Sequence, residues 1–296
     1  MSTTSAIDLS KLPPPQVVKQ LAYEVIYQDV LATFVAAVPE FDATVESDPT
    51  VRGLQALAYR EMLKRAEYND DCKAVMLAFA EDGDLDQLVA LYGVERLMLD
   101  PGNPDLGIGP TYESNDDLRY RTTLAPQGYS VAGPDGAYKF HALSASGLVL
   151  DAKPTSPSPG EVVVTVLSRI GSGAADADLL ALVEAQLSAD TVRPLTDHVT
   201  VQSAEIVEWS VIADLWTFAG PDPAVVIAQA QANLASYCDT SHRLGRDITL
   251  SGVYAALHVQ GMQRVTLHSP AADLVIGDTQ APYCVSVTLN DQGVDE

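Results

Sequence analysis

Apolar residues recur three and four positions apart from residue 16 to 38: Val17, Val18, Leu21, Ala22, Val25, Ile26, Val30, Leu31, Phe34, Val35 and Val38. Lys19, Glu24, Gln28 and Asp29 fall largely on the other side. This spacing predicts one amphipathic helix over 16–38, about 30 Å long at 1.5 Å per residue. The stiff Pro13–Pro15 step before it suits a helix start, because proline is tolerated in the first turn. Burying roughly eight large apolar side chains at about 1.5–3 kcal/mol each is worth about 10–20 kcal/mol gross, so such a helix needs a cover. One candidate is the next helical region, which starts near Asp48 and Pro49 and carries a thinner stripe of Val51, Leu54, Ala58, Met62 and Ala66. A helix from another chain is equally allowed.

Further along, Gly83 is expected to break one helix, Asp84 to cap a short new one through Leu91, and Gly93 to close it in the left-handed conformation. Residues 100–112 (DPGNPDLGIGPTY) are rich in proline and glycine and read as a loop at a domain boundary. Beyond it the period changes. Short helices are expected at 113–125 and 136–143, strands at 148–152, 161–167, 199–202, 208–218, 262–268 and 282–289, and helices at 177–187 and 223–237. A weak internal echo links GAYKFHALSASGLVLDAKPTSP and EVVVTVL to SGVYAALHVQGMQRVTLHSP and YCVSVTL. The fold class expected is α+β, with long, bundle-forming N-terminal helices followed by two related α+β modules. The division is 1–99 helical region, 100–115 linker, 116–202 first module and 203–296 second module.

Composition narrows the function. Forty Asp and Glu against 17 Lys and Arg give a formal charge of −23, spread over both halves of the chain, so a nucleic-acid surface, which needs clustered cations, is not expected. No apolar run reaches the roughly 18 residues of a spanning helix, and no basic residue precedes an apolar run at the N-terminus, so neither a membrane span nor an export signal is expected. Three cysteines, Cys72, Cys238 and Cys284, have no CxxC spacing and read as reduced, buried, unreactive thiols.

Candidate chemistry is sparse. The five histidines, His141, His198, His242, His258 and His268, do not cluster at metal-ligand spacing. Asp82, Asp84 and Asp86 imitate the start of a calcium loop, but Gln87 and Gly93 stand where it requires glycine and a bidentate acid, so they read as helix-capping residues. GSG at 171–173 lacks the Lys-Ser/Thr ending of a phosphate loop. Trp209 and Trp216 are seven apart, so on one strand they face opposite ways, as one core and one interface tryptophan and not a stacked sugar platform. No catalytic, cofactor-binding or metal-binding residue is expected. A carbohydrate-binding adhesin and, further off, a peptidoglycan hydrolase remain as alternatives.

Several stretches together resemble the baseplate J-like proteins of contractile phage tails: IDLSKLPPPQVV at 7–18, AYREMLKR at 58–65, AVMLAFAEDGDLDQLVALYGVERL at 74–97, DLRYRTTLAPQGYSVAGPDGAYKFHALS at 117–144, SPSPGEVVVTVLSR at 156–169, RPLTDHVTVQSAEIV at 193–207 and 242–284. They follow one another in the family's order over most of the chain. The resemblance implies a structural wedge subunit in the virion's tail baseplate, made in the host bacterial cytoplasm. It implies a heterotrimer of two copies with another baseplate wedge protein, formed through an N-terminal helical bundle that also meets a lysozyme-like sheath initiator. It further implies C-terminal wings that join neighbouring wedges into a ring, which rearranges to trigger sheath contraction. On that basis Val17, Val18, Leu21, Val25 and Ile26 are the expected interface residues. At −23 per chain, like copies in a ring repel at close range, so apolar or Arg-anchored interfaces are expected; interfaces made of acidic faces instead predict a ring stability that rises steeply with salt.

Overall fold

Asp48 and Pro49 start a helix as their residue types dictate. Asp48 Oδ1 accepts from Thr50 N at 2.7 Å, and Pro49 sits in the first turn, where its missing N–H leaves no bond unmade, so α2 runs Pro49–Ala74. In the computed structural model, which describes residues 9, 15, 19, 21–42, 45, 47–130, 133–220 and 222–295, the preceding helix α1 is Tyr23–Ala37. It therefore starts later than the apolar spacing indicates. Ala22 is extended, and the Lys19 backbone is held in both directions by one side chain of α2: Lys19 N donates to Asn69 Oδ1 at 2.7 Å and Asn69 Nδ2 donates to Lys19 O at 2.8 Å. A backbone amide clamped in this way is spent on α2 and not on a helix of its own. α1 lies on α2, and the buried stripe of α2 is Val51, Leu54 and Ala58, with Met62 and Ala66 half-buried behind them.

Helix α3, Asp82–Ala90, buries Leu85 and Val89. Gly83 does not break it but lies in its first turn; Glu81, not Asp84, holds the cap position, without a side-chain cap bond. Gly93 does take the left-handed conformation, with φ +68. Helix α4, Asn115–Gly128, sends Arg119 to the carbonyls of Leu77 and Ala80 at 2.7 and 2.8 Å, satisfying acceptors in the turn ahead of α3. The chain forms two compact units. One holds the described residues up to Glu95 with Ser114–Thr123; the other holds Arg96–Glu113 and the chain from Leu124 onward.

In the second unit the 100–112 stretch is not a plain loop. Strands β1, Met98–Asp100, and β2, Thr111–Tyr112, pair antiparallel around a 3₁₀ turn at Pro104–Leu106. Asn103 Oδ1 accepts from Asp105 N at 3.0 Å, and Gly102, at φ +72, passes so close to the returning strand that a Cβ would lie 2.4 Å from Gly109 O. Proline and glycine punctuate a tight hairpin here.

After α5, Asp135–Ala145, the first sheet has the order β3-β4-β5: Val149–Thr155, Glu161–Ser168 and His198–Ser203. β3 and β4 are antiparallel; β4 and β5 are parallel, joined through α6, Ala177–Leu187. Central β4 carries the valine run, with Val162, Val164, Val166 and Leu167 buried, as expected of a strand covered on both faces. α6 is capped by Asp176, whose Oδ1 accepts from Leu179 N at 2.8 Å, and its Leu179, Val183 and Leu187 recur four apart on the buried side.

The second sheet has the order β7-β6-β8: Met262–Ser269, Glu205–Thr217 and Gln280–Val294. Trp209, Val211, Ala213 and Leu215 alternate inward along β6. They meet Val226, Ala230 and Leu234 of α7, Pro223–Ser241, and Val253 and Leu257 of α8, Leu250–Leu257. Trp216 lies on the opposite face from Trp209, as their odd separation requires. The echoed helix–strand–strand order recurs as α5-β3-β4 and α8-β7-β8, but the pairing does not. β3 pairs directly with β4, whereas β6 lies between β7 and β8. Ala204, at the β5–β6 junction, is buried with Leu167, Leu244 and Ala281, so one core cluster reaches both sheets. Buried Asp151 adds a polar link: Lys139 Nζ lies 2.8 Å from its Oδ1, and Leu244 N donates to its Oδ2 at 3.2 Å. Helical layers and mixed sheets in sequence-separate regions make the chain α+β.

Candidate assembly surfaces

A single helix offers two faces, and among the described residues α1 packs one of them. Ile26 is 1% exposed, with Tyr23, Tyr27, Val30, Leu31 and Phe34 half-buried around it. Tyr23 and Tyr27 stack with ring centroids 6.2 Å apart, and Phe34 meets Phe41 edge-on at 5.1 Å. On the far side Val25 is 58% exposed, and Ala32 and Ala36, seven and eleven residues on, continue its line at 100° per residue; Leu21, just before the helix, is 46% exposed. The expected interface residues therefore part company. Leu21 and Val25 are open, Ile26 is closed against the chain's own α2, and Val17 and Val18 lie outside the described residues.

Helix α2 has the same character. Leu57 and Tyr68 flank its buried stripe on one side, Tyr59 and Leu63 on the other, and all four are exposed. They do not belong to the Val51–Ala66 stripe read from the sequence. The signal that marks them is the surplus of large apolar residues outside that stripe. Together with α1 they give the first unit an apolar surface that its own helices do not cover.

The outer face of the second sheet is polar by contrast. Arg264 lies over the Trp216 ring at 4.0 Å and pairs with Asp295 at 3.1 Å. Asp214 accepts from Asn290 Nδ2 at 2.8 Å and contacts His268 Nε2 at 2.8 Å. The His268 and Asn290 hydrogen bonds hold its carboxyl below the usual carboxylate range. β8 is an edge strand, with Val285 and Val287 exposed and only β6 beside it.

Burial pushes the His141 imidazole below its usual range, although its Nε2 lies 3.1 Å from Gly128 O. Asp82, Asp84 and Asp86 sit at the start of α3, where carboxylates favour the positive end of a helix dipole. Among the described residues, no group of three His, Cys, Asp or Glu side chains converges in a way that could hold a metal ion, and no helix is long and apolar enough to cross a membrane. The three thiols are not fully buried as expected: Cys72, Cys238 and Cys284 are each partly exposed.

Known proteins match along most of this architecture. The baseplate J-like N-terminal domain matches residues 46–103, the baseplate J-like central domain 130–203 and the baseplate J-like C-terminal domain 210–290. Baseplate protein J of Escherichia phage P2 is 45% identical over 300 residues, covering 98% of this chain and 99% of that protein. A chain in a cryo-EM structure of the anti-feeding prophage baseplate is similar at 14% identity and a TM-score of 0.40, over 60% of this chain and 43% of that one. The chain belongs to the baseplate J-like family of phage tail-baseplate structural proteins.

Proposed function

We propose that this protein is a wedge subunit of a contractile tail baseplate whose N-terminal helices are completed by other chains. The observation that carries this reading is the uncovered side of α1 and α2. Val25, Leu57 and Leu63 are exposed in helices whose opposite faces are already packed, and Leu21, just before α1, is exposed beside them. Leu21, Val25, Leu57 and Leu63 are 46%, 58%, 55% and 48% exposed, so covering them recovers about half of the roughly 1.5–3 kcal/mol that full burial of each is worth.

In this reading residues 1–99 enter an intermolecular bundle with a second copy and one copy of another wedge protein, and the bundle also receives a lysozyme-like sheath initiator. Residues 116–202 and 203–296 act as the modules that meet neighbouring wedges, and their rearrangement on host recognition releases sheath contraction. Its role is assembly, with no catalytic residue assigned.

Co-expression with the candidate wedge partner tests this. The full chain should give a complex of two copies with one partner, whereas residues 41–296 or a Val25→Asp chain should give free protein. A complex of unchanged mass after either change contradicts the bundle. An adhesin would bind whole host cells and a hydrolase would clear purified peptidoglycan; the assembly reading predicts neither.

A further inference from the structure

We propose that Cys238 and Cys284 form a dithiol site that reacts with small-molecule disulfides and closes into an intramolecular disulfide joining α7 to β8. The two residues are 46 positions apart in sequence, yet Cys238 in the last turns of α7 and Cys284 in β8 line one open cavity of about 390 Å³. That volume is in the range that admits a small ligand. Both thiols are only partly buried, so a reagent in the cavity reaches them. Arg169, Asp239, His242, Arg243 and Tyr283 line the same space. The ring of His242 is fixed by its Nδ1, 2.7 Å from Pro282 O, and by edge-on packing on Tyr283 at 5.6 Å.

The two sulfurs are not equivalent. They share a hydrogen bond that favours thiolate on Cys284, and backbone hydrogen bonds at Ser286 and Val211 add to it against burial, bringing that thiol down to about 7. The same hydrogen bond, burial and the Asp239 carboxylate push Cys238 up, so it keeps its proton. Cys284 is thus the attacking sulfur and Cys238 the resolving one.

The steps balance with the small disulfide RS–SR as oxidant. The Cys284 thiolate attacks one sulfur of RS–SR, forming Cys284–S–SR and releasing one RS⁻. Cys238 then loses its proton to solvent and attacks the Cys284 sulfur, forming the Cys238–Cys284 bond and expelling the second RS⁻. The protein gives up two electrons and one small disulfide becomes two thiols.

The test uses 5,5′-dithiobis(2-nitrobenzoate) as RS–SR on the full chain carrying Cys72→Ser, so that the pair is read alone. The expected result is two equivalents of thionitrobenzoate released, no adduct retained, and a mass lower by two hydrogens that peptide mapping assigns to Cys238 linked to Cys284. The Cys238→Ser change should leave one stable adduct on Cys284, and Cys284→Ser should slow the remaining thiol at least about tenfold. Mapping the unsubstituted chain guards against a variant that fails to fold. A stable adduct on Cys284 with Cys238 present, or a pair that does not react, overturns the proposal.

Discussion

The two compact units answer the same demand, burial of apolar side chains, to different degrees. Around the second sheet, Trp209, Val211, Ala213 and Leu215 of β6 meet Val226, Ala230 and Leu234 of α7 and Val253 and Leu257 of α8, and nearly all are excluded from water. In α1, Ile26 is the fully buried residue, while Val25 beside it faces solvent. A sheet with helices laid on it closes its own core, whereas a packed pair of helices buries one stripe of each and leaves the rest open. The C-terminal unit therefore closes this core with its own elements. The N-terminal helices α1 and α2 leave Val25, Leu57 and Leu63 in water, the feature on which the proposed bundle rests.

Breaking the self-sufficient core should have the largest effect. Leu215→Ala removes a fully buried side chain between β6 and its helices and should cost about 4 kcal/mol, read as a lower urea midpoint. Asp151→Ala should follow at about 3 kcal/mol, because it leaves Lys139 without its 2.8 Å partner and Leu244 N without an acceptor. The paired change Asp151→Leu with Lys139→Met should recover only the charge part of that loss, since Leu244 N still lacks its acceptor.

Smaller effects sharpen the contrast. Asp176→Ala deletes the bond to Leu179 N and should cost about 1 kcal/mol, seen in the same titration. His141 adds a pH dependence of known sign. Burial makes the folded state bind its proton more weakly than the unfolded chain, whose ordinary value is 6.5. Its contribution is intact above pH 6.5 and is lost as pH falls below that towards the lower folded value; urea midpoints between pH 7.5 and 5 should fall less steeply for His141→Gln. Smallest of all, Val25→Asp should change the isolated chain's stability by less than about 0.5 kcal/mol, because the side chain is already in water.

Period and punctuation made much of this fold readable. The α6 bounds 177–187, the Asp48–Pro49 start of α2, the left-handed Gly93 and the opposite faces of Trp209 and Trp216 all follow from local rules that the tertiary structure does not override. The α1 start failed because apolar spacing alone cannot reveal that Asn69, 50 residues away, engages the Lys19 backbone. β8 was read short at its C-terminal end because 290–294 has no alternating apolar pattern; its partner β6 holds it extended to Val294. Asp151 with Lys139, and Cys238 with Cys284, left no local signature, since each pair is brought together by the packing of separate elements.

Amide hydrogen exchange along α1, compared between the free chain and its complex with a co-purified wedge partner, bears most directly on the unfinished face. Protection that rises over Tyr23–Ala37 and the exposed flanks of α2, while the β6 core stays as slow as in the free chain, is the expected result. Equal exchange of α1 in both states would contradict the account.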